Sequence, residues 1–314
     1  MKKKIILDCD PGHDDAVAIM LAAASEEIEI LGITCVAGNA TLENTKQNTL
    51  KICSLIGRSD INVYAGADNP LKFKLITAEH VHGKSGLDRE GNIIEILPNY
   101  KIQKQQAEDF IIETCHSQKE KIYICPTGPL TNIANALIKD PSIKNNILEI
   151  VFMGGVAMNL GNITPAAEFN IYVDPHAANI VLNSGIPLVM MGLDVTHKVN
   201  VDDKIINNIL SNNNECSKFF AELMDFYSKF HRKLYNSNSC PLHDPCVIAY
   251  LIDPTIFSGR FVNVVVEENS FLTRGKTVVD WFNTTEREKN CTVMVEADSE
   301  KFFALLKDRL LSLP

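Results

Sequence analysis

The chain has 314 residues, of which 46% are hydrophobic and 22% are charged, and it carries a formal net charge of −9 at pH 7. No apolar run approaches the roughly 20 residues that a membrane-spanning helix needs, so we expect no membrane-embedded part. The negative charge argues against nucleic-acid binding, because proteins that follow a phosphate backbone need a basic surface. It favours a neutral or cationic ligand, or a metal ion.

The N-terminus and the cysteines both indicate the cytoplasm. Lys2, Lys3 and Lys4 are followed by only three apolar residues before Asp8, which is too short for the hydrophobic region of a secretory signal. The nine cysteines are scattered through apolar segments, and none forms a CxxC pair. We therefore predict reduced, buried thiols rather than a disulfide framework or a zinc site.

Short β-rich segments alternate with helical patterns along the chain. KKKIILDCD precedes the helix-like DDAVAIMLAAAS, IEILGITCVAGN precedes TLENTKQNTLKICSLIG, and KIYICPTG precedes PLTNIANALIKD. Further on, ILEIVFMGG leads into a loop, and DPHAANIVLNSG precedes the strand-like IPLVMMGLDVT. These strands are nearly continuous in apolar residues, as in parallel sheets covered on both faces. We predict an α/β fold with an open, mostly parallel, doubly wound (Rossmann-like) sheet.

The C-terminal third continues without a break in composition. An amphipathic helix is predicted over 217–235, strands over 261–269 and 291–298, and a closing helix over 298–311. No linker rich in Pro, Gly or Ser divides the chain, so residues 1–314 are predicted to form one domain rather than two.

Polar residues follow five of the predicted strands at their carboxyl ends, where open α/β sheets bind their ligands. They are Asp8 and Asp10, then Asn39, Thr127, a loop with Asn162, Glu168 and Asn170, and finally Asp194. Because the carboxyl ends of parallel strands meet at one edge of a sheet, we expect these side chains to form one ligand site.

The segment DCDPGHDD concentrates four carboxylates between the first strand and the first helix. Asp8 and Asp10 share one side of the strand, and the Pro-Gly turn brings Asp14 and Asp15 back toward them. Asp14 or Asp15 could simply cap the helix, but capping does not explain the strand-end pair. A hard divalent cation would relieve the repulsion. Calcium is favoured over magnesium because it tolerates irregular oxygen cages, and over zinc because no thiolate or histidine cluster has ligand spacing.

Two further segments hold candidate residues. In CPLHDPCVIAY, His243 and Asp244 precede an apolar helical run, where Asp244 could also be an N-cap and His243 a surface residue. In AEHVHGKSGLD, His80 and His82 lie in a predicted loop of small residues, where a histidine is usually only solvated.

Six segments, in this order, resemble the nucleoside hydrolases: DCDPGHDDAVAIM, GITCVAGN, HVHGKSGLD, PTGPLTNIA, MGG followed by GNITPAAEFNIYVDPHAA, and HDP near residue 244. They are most similar to the inosine-uridine preferring and pyrimidine-preferring ribonucleoside hydrolases. The resemblance implies Ca²⁺-dependent hydrolysis of the N-glycosidic bond of ribonucleosides to ribose and free base. Uridine, cytidine and inosine are the leading candidate substrates. It also implies a role in nucleoside salvage or catabolism and a homodimer or homotetramer.

The resemblance further implies roles for single residues. One Ca²⁺ per subunit would be held by Asp10, Asp15, the backbone carbonyl of Thr127, and Asp244, with Asp8 outside the ligand set. Asp14, Asn39, Met153, Asn162, Glu168 and Asn170 would bind the ribose. Asp10 would take a proton from calcium-bound water, in a transition state that resembles the oxocarbenium ion of glycoside cleavage. For Asp8 we expect hydrogen bonds that support the loop.

The leaving base needs a proton or hydrogen bonds. The resemblance implies that His243 is the acid and that His82 belongs to a loop that closes over the base. Tyr227, His231 and Tyr235 share one face of the predicted helix, which packing alone also explains; the resemblance implies that they contact the base. Pyrimidine-preferring relatives tend to have Gln at the position of His231, so the base preference stays open. The purine-specific subgroup sandwiches the base between tryptophans, and the single Trp281 is far from these segments in sequence.

Two other functions are compatible with part of the sequence. DCD at the end of the first strand is similar to the DxD of haloacid-dehalogenase-like phosphatases, in which Asp8 would be the nucleophile, Asp10 the acid/base, and Mg²⁺ the metal. That alternative leaves AEFN and HDP without roles. A nucleoside-binding protein without catalytic activity is the nonenzymatic alternative, and the presence of all the matched catalytic positions argues against it.

Overall fold

A computed structural model describes residues 2–235 and 237–314. The strands are β1 (Lys3–Cys9), β2 (Ile28–Cys35), β3 (Val63–Ala65), β4 (Ile102–Gln106), β5 (Ile122–Pro126), β6 (Ile147–Met153), β7 (Leu188–Met191), β8 (Asn200–Val201), β9 (Cys240–Pro241), β10 (Phe257–Val266), β11 (Thr277–Asp280) and β12 (Cys291–Ala297). The helices are α1 (His13–Ala23), α2 (Leu42–Leu55), α3 (Glu79–His82), α4 (Ala107–Ser117), α5 (Thr131–Lys139), α6 (Phe169–Val173), α7 (Pro175–Leu182), α8 (Leu193–Thr196), α9 (Asp203–Leu210), α10 (Glu215–Tyr235), α11 (Pro245–Ile252) and α12 (Ser299–Leu311).

Among the described residues, ten strands form one sheet in the order β11-β10-β12-β7-β6-β5-β1-β2-β3-β4. All pairings from β12 to β4 are parallel, and β10 and β11 add an antiparallel edge. The chain enters the sheet at β1, proceeds outward through β2, β3 and β4, and returns to the other side of β1 as β5. This is the predicted doubly wound topology, and its direction reverses between β1 and β5, where such sheets bind ligands.

Strand β1 is buried on both faces, which explains its nearly continuous apolar sequence. Ile5 and Leu7 belong to the core on one face, with α1, α10, α11 and α12, and Ile6 belongs to the core on the other, with α4, α5 and α7. All three side chains are fully buried, and burial of each stabilises the fold by roughly 1.5–3 kcal/mol. The central strand is therefore fixed firmly, and the polar residues at its carboxyl end are fixed with it.

The C-terminal elements agree with the sequence prediction except at their ends. The amphipathic helix predicted over 217–235 is α10, and the strand predicted over 261–269 is β10, which begins earlier, at Phe257, and ends at Val266. One prediction is wrong: GLDVT does not continue a strand but forms the short helix α8.

The nine cysteines are buried and have free thiols, as predicted. In the described ranges, no helix combines the length and the apolar character that crossing a membrane requires.

Candidate active site

A cavity lies at the edge of the sheet where the parallel strands end. Residues at or just after the ends of β2, β5 and β6 line it, namely Asn39, Thr127 and Met153. Nine more of the predicted site residues line it: Asp14, His82, Asn162, Glu168, Asn170, Tyr227, His231, His243 and Asp244. Asp10 and Asp15 are fully buried beside this cavity rather than in its lining, and the side chain of Tyr235 lies outside the described part of the structure.

The loop between β1 and α1 brings the acidic residues to the site. Gly12 is the N-cap of α1 in an extended conformation, and Asp15 lies in the first turn of that helix. The Asp15 carboxylate accepts hydrogen bonds from the N–H of Gly12 at 2.9 Å and from the Thr127 hydroxyl at 2.8 Å. Asp15 therefore does cap α1, as the helix-capping alternative predicts. It also joins the ends of β1 and β5.

Asp10 lies where two glycines allow close approach of the backbone. Its Oδ2 accepts the N–H of Asn39 at 2.6 Å, and its buried Oδ1 has no hydrogen-bond partner among the described residues. A Cβ on Gly38 would overlap Oδ2, and a Cβ on Gly128 would lie 2.5 Å from Oδ1. Burial and the neighbouring Asp15 raise the pKa of Asp10 well above its usual value.

The carboxylates of Asp14, Asp15 and Asp244 converge from the first turn of α1 and the start of α11. Asp14 and Asp15 from α1 and Asp244, just before α11, each offer an oxygen within 4.8 Å of the others. Burial, followed by the charge of Asp15, raises the pKa of Asp14 to about 7. Burial and the charges of Asp14 and Asp15 raise the pKa of Asp244 well above its usual value. Asp244 is the N-cap residue of α11, as that alternative predicts, but its side chain makes no capping hydrogen bond to the helix.

This cluster fits a hard divalent cation. Burial first, and neighbouring negative charge second, raise the pKa values of Asp10, Asp14 and Asp244, and a cation among them would stabilise their charged forms. The buried Asp10 Oδ1, which has no partner among the described residues, is a suitable ligand atom. The structure brings Asp15 and Asp244 together, as predicted for metal ligands. It places Asp14, predicted to bind ribose, in the same group. The division of these residues between metal and ribose stays a prediction.

Asp8 is fully buried and does not line the cavity. Its Oδ1 accepts hydrogen bonds from the Thr34 hydroxyl at 2.5 Å and from Asn132 Nδ2 at 2.7 Å. Asp8 thereby connects β1 to β2 and α5, and this is the supporting role predicted for it. The phosphatase alternative requires this carboxylate to reach the substrate as a nucleophile, and its burial and contacts do not favour that role.

The residues predicted to bind ribose are fixed by backbone groups. Glu168 is the N-cap of α6 and accepts the N–H groups of Gly155 at 2.9 Å, Asn170 at 2.9 Å and Ile171 at 3.3 Å. Burial raises the pKa of Glu168 to about 7, while these N–H groups favour the carboxylate. Asn170 Nδ2 donates to the carbonyl of Thr127 at 2.7 Å, so α6 is tied to the end of β5. These side chains are held in place by hydrogen bonds to the protein's own backbone.

Helices α3 and α10 form the aromatic wall of the cavity. His82 ends α3 and is only 5% exposed, so the alternative of a solvated loop histidine is wrong for it, whereas His80 is exposed. Tyr227, Phe230 and His231 of α10 line the cavity, with the rings of Tyr227 and His231 edge to face at 4.7 Å between centroids. The predicted face of α10 does lie toward the cavity at the two positions whose side chains are described.

His243 is held by a residue that the sequence did not single out. Its Nδ1 lies 2.7 Å from the hydroxyl of Thr196, at the end of α8. His197, the next residue, lines the cavity, and its ring is tilted against that of His243 at 5.6 Å. Burial lowers the pKa of His243 well below its usual value. The available signal for these two residues was the pair Thr196 and His197, where the predicted strand IPLVMMGLDVT ends and the next residue follows.

Asp194 has a different role from the one expected for a strand-end carboxylate. It does not line the cavity. Its oxygens accept the N–H groups of Ala157 at 2.6 Å, Met158 at 2.9 Å and Asn159 at 3.0 Å. Asp194 thus anchors the loop that carries Asn162, whose Oδ1 in turn accepts the N–H of Phe169 at 2.9 Å.

Comparison with known proteins gives consistent matches over nearly the whole chain. The sequence model of the family described as inosine-uridine preferring nucleoside hydrolase matches residues 5–304. The pyrimidine-specific ribonucleoside hydrolase RihA of Shigella boydii is 46% identical over 311 residues, which cover 99% of each chain. An uncharacterized protein of Schizosaccharomyces pombe is also 46% identical, over 99% of this chain and 100% of its own length.

Solved structures agree with these sequence matches. A purine-preferring ribonucleoside hydrolase from Gardnerella vaginalis superposes with a TM-score of 0.91 at 35% identity, over 98% of each chain. A plant nucleoside hydrolase gives the same TM-score, 0.91, at 31% identity over 99% of each chain. The fold and site therefore define the class of the protein as nucleoside hydrolases, which are N-glycosidases. Within that class, the chain belongs to the family of the inosine-uridine preferring nucleoside hydrolases.

Proposed function

We propose that this chain is a Ca²⁺-dependent ribonucleoside hydrolase that cleaves the N-glycosidic bond of uridine, cytidine and inosine to give ribose and the free base. The buried cluster of Asp10, Asp14, Asp15 and Asp244, beside a cavity with a histidine-rich aromatic wall, is the observation that carries the proposal. The names of the similar proteins, one pyrimidine-specific and one purine-preferring, support testing both classes of base.

The carboxylates suit a transition state with positive charge on the sugar. Cleavage of a glycosidic bond spreads that charge over the anomeric carbon and the ring oxygen. Carboxylates already fixed by hydrogen bonds, such as Glu168 with its three backbone donors, stabilise the charge with little reorganisation. We assign Asp10 as the base that takes the proton of the attacking water, because its buried Oδ1 has no hydrogen-bond partner among the described residues.

The metal ligands in this proposal are Asp10, Asp15, Asp244 and the backbone carbonyl of Thr127. When bound, Ca²⁺ would supply a Lewis acid that orients the ribose hydroxyls and acidifies water. Asp14, Asn39, Asn162, Glu168 and Asn170 would bind those hydroxyls, with Met153 beneath the sugar. Interactions with hydroxyls that do not react raise the rate when they strengthen in the transition state.

His243 is proposed as the donor to the departing base. When the Thr196 hydroxyl donates to Nδ1, the hydrogen of a neutral imidazole sits on Nε2, which is then the nitrogen available to the base. Tyr227, His231 and Tyr235 would contact the base, and His82 would close over it. The proposal further includes a homodimer or homotetramer that works in cytoplasmic nucleoside salvage or catabolism, with residues 1–314 as one catalytic domain.

A panel of substrates tests the proposal. Uridine, cytidine, inosine, their 2′-deoxy forms and a phosphomonoester are each incubated with the protein in Ca²⁺ and after chelation. We expect reducing sugar from the ribonucleosides in Ca²⁺, much less from the deoxy forms, and none after chelation. Release of phosphate instead would support the phosphatase, and binding of nucleosides without any product would support the noncatalytic alternative.

A further inference from the structure

His13 lies in the middle of the acidic segment, fully buried, and ribonucleoside hydrolysis as proposed gives it no role. Its Nε2 lies 2.8 Å from the backbone carbonyl oxygen of Asp88, and its Nδ1 lies 2.9 Å from Nδ1 of His82. The ring planes differ by 21° and the centroids are 5.1 Å apart. The distance between the centroids is longer than the Nδ1–Nδ1 distance by about one ring radius for each ring. The two rings therefore lie edge to edge and touch through their Nδ1 atoms.

The surroundings hold this contact in place. A Cβ on Gly12 would lie 2.7 Å from His82 Nδ1, so the absence of a side chain at this position makes room for the His82 ring. The rings of Phe226 and Tyr227 lie nearly parallel to that of His13, at 5.2 and 5.6 Å. These contacts connect the acidic loop to α10.

The loop after α3 is ordered around the same contact. The carboxylate of Asp88 accepts the N–H groups of Lys84 at 3.0 Å and Ser85 at 3.1 Å, and the N–H of Asp88 donates to the carbonyl of His82 at 3.1 Å. The carbonyl of Asp88 is thereby fixed opposite His13 Nε2. His13 connects two chain segments about 70 residues apart in sequence, since its partner His82 is 69 positions away.

The hydrogen positions follow from the chemistry of the partners. A carbonyl oxygen only accepts, so His13 Nε2 carries a hydrogen, and the Nδ1 of a neutral His13 is an acceptor. Two nitrogens in contact need one hydrogen between them, so that hydrogen belongs to His82 Nδ1. The backbone N–H of His13 also points at His82 Nδ1, at 3.3 Å, and a protonated Nδ1 cannot accept it; this tautomer gives up that longer contact and keeps the 2.9 Å one. The Nε2 of His82 is then left with a lone pair.

We propose that His13 is a positioning residue that fixes both the orientation and the tautomer of His82, so that His82 offers an acceptor nitrogen, Nε2, to the bound nucleoside. His82 then orients the substrate and is not the group that protonates the base, which leaves that role to His243. The kinetic consequence rests on the proposed function, whereas the tautomer does not depend on it.

The tautomer is read directly by two-bond ¹H–¹⁵N correlation spectra of the histidine-labelled, Ca²⁺-loaded protein. In the wild type we expect the ¹⁵N chemical shifts of His82 to show a protonated Nδ1 and an unprotonated Nε2. A protonated Nε2 would overturn the proposal. His13→Phe keeps an aromatic ring next to Phe226 and Tyr227 but removes the acceptor. Only the backbone N–H then faces His82 Nδ1, so the tautomer should reverse. An unchanged tautomer would also overturn the proposal.

Two more variants complete the test. His13→Asn retains an acceptor near the original Nδ1 and should restore the wild-type tautomer; reversal in this variant counts against the proposal. If His13→Phe does not fold, as judged by circular dichroism, His13→Ala replaces it with the same expected reversal.

Kinetics separate positioning from a structural role. His13→Phe should lower kcat for uridine by about tenfold to a hundredfold, the typical effect of a misplaced active-site group, with Ca²⁺ affinity unchanged. The double variant His13→Phe/His82→Ala should be no slower than His82→Ala alone. If the kcat losses of the two single variants multiply in the double variant, the proposal is wrong. A kcat loss in His13→Phe that weaker Ca²⁺ binding explains would also overturn it. If the wild type hydrolyses no nucleoside, the proposed function fails, and the spectra still decide the tautomer.

Discussion

Replacing Asp8 by asparagine tests the division of roles within the acidic segment. Burial is the main cause that raises the pKa of Asp8 from 3.8 to about 7, against the opposing hydrogen bonds of Thr34 and Asn132. Asparagine has the same shape, and its Oδ1 can keep both hydrogen bonds. It differs in having no charge and in placing an amino group where the buried Oδ2 has no partner in the described structure.

The pKa sets the size and sign of the effect. A carboxyl whose folded-state pKa lies above its unfolded value holds its proton longer in the folded protein, so wild-type stability falls as the pH rises from about 3.8 to about 7. At about 1.4 kcal/mol per pKa unit, the full change is on the order of 4 kcal/mol. The asparagine of the Asp8→Asn variant does not titrate, but its unpaired amino group costs about 1–3 kcal/mol at every pH. The variant should therefore be less stable than the wild type near pH 4 and more stable near pH 8.

Urea unfolding of the metal-free proteins between pH 4 and pH 8 measures this difference. Asp280→Asn is a control, because hydrogen bonds from Thr285 and Thr284 lower the pKa of that carboxyl, so its contribution to stability is complete above the unfolded-state pKa of 3.8. Its difference from the wild type should stay flat from about pH 5 to pH 8. A flat difference for Asp8→Asn as well would refute the buried-charge reasoning. With Ca²⁺ restored, Asp8→Asn should hydrolyse uridine within about tenfold of the wild-type rate, whereas a nucleophilic Asp8 would require loss of activity.

Three further predictions concern the cavity. His243→Ala should slow hydrolysis of inosine far more than that of a p-nitrophenyl riboside, whose leaving group needs no proton; equal losses in steady-state rates would mean that His243 only shapes the cavity. Thr196→Val, which leaves His243 Nδ1 without its 2.7 Å partner, should reproduce this pattern with a loss of about tenfold in kcat for inosine, and Thr196→Ser should not. Gly128→Ala places a Cβ 2.5 Å from Asp10 Oδ1 and should weaken Ca²⁺ binding by at least about a hundredfold in calorimetric titrations; unchanged affinity would contradict the assigned position of Asp10.

The parts of the fold that follow from local pattern could be predicted from the sequence. Ile5, Ile6 and Leu7 form a run that only a strand covered on both faces can bury, and the carboxylates after it necessarily lie at the ligand-binding edge. For the same reason, five of the eight predicted strand-end residues line one cavity, namely Asn39, Thr127, Asn162, Glu168 and Asn170. Parallel strands that share a direction bring their carboxyl ends together whatever the loops do.

The parts that depend on contacts between loops could not be predicted. Asp194 binds backbone N–H groups 35 to 37 residues earlier in the chain, and Asp88 meets His13 at a separation of 75 residues. No periodicity or capping pattern encodes which loop crosses which strand end. The same is true of Asp244, which is the N-cap residue of α11 but turns its side chain toward Asp14 and Asp15.

The measurement that tests the central claim most directly is the turnover of Asp10→Asn with uridine and Ca²⁺ both saturating. The variant keeps an acceptor for the N–H of Asn39 but has no base at the buried Oδ1. We predict that kcat falls by about 10³-fold, within the range that general-base catalysis contributes, while circular dichroism shows an intact fold. Turnover close to that of the wild type would contradict the assignment of catalysis to this cluster of carboxylates.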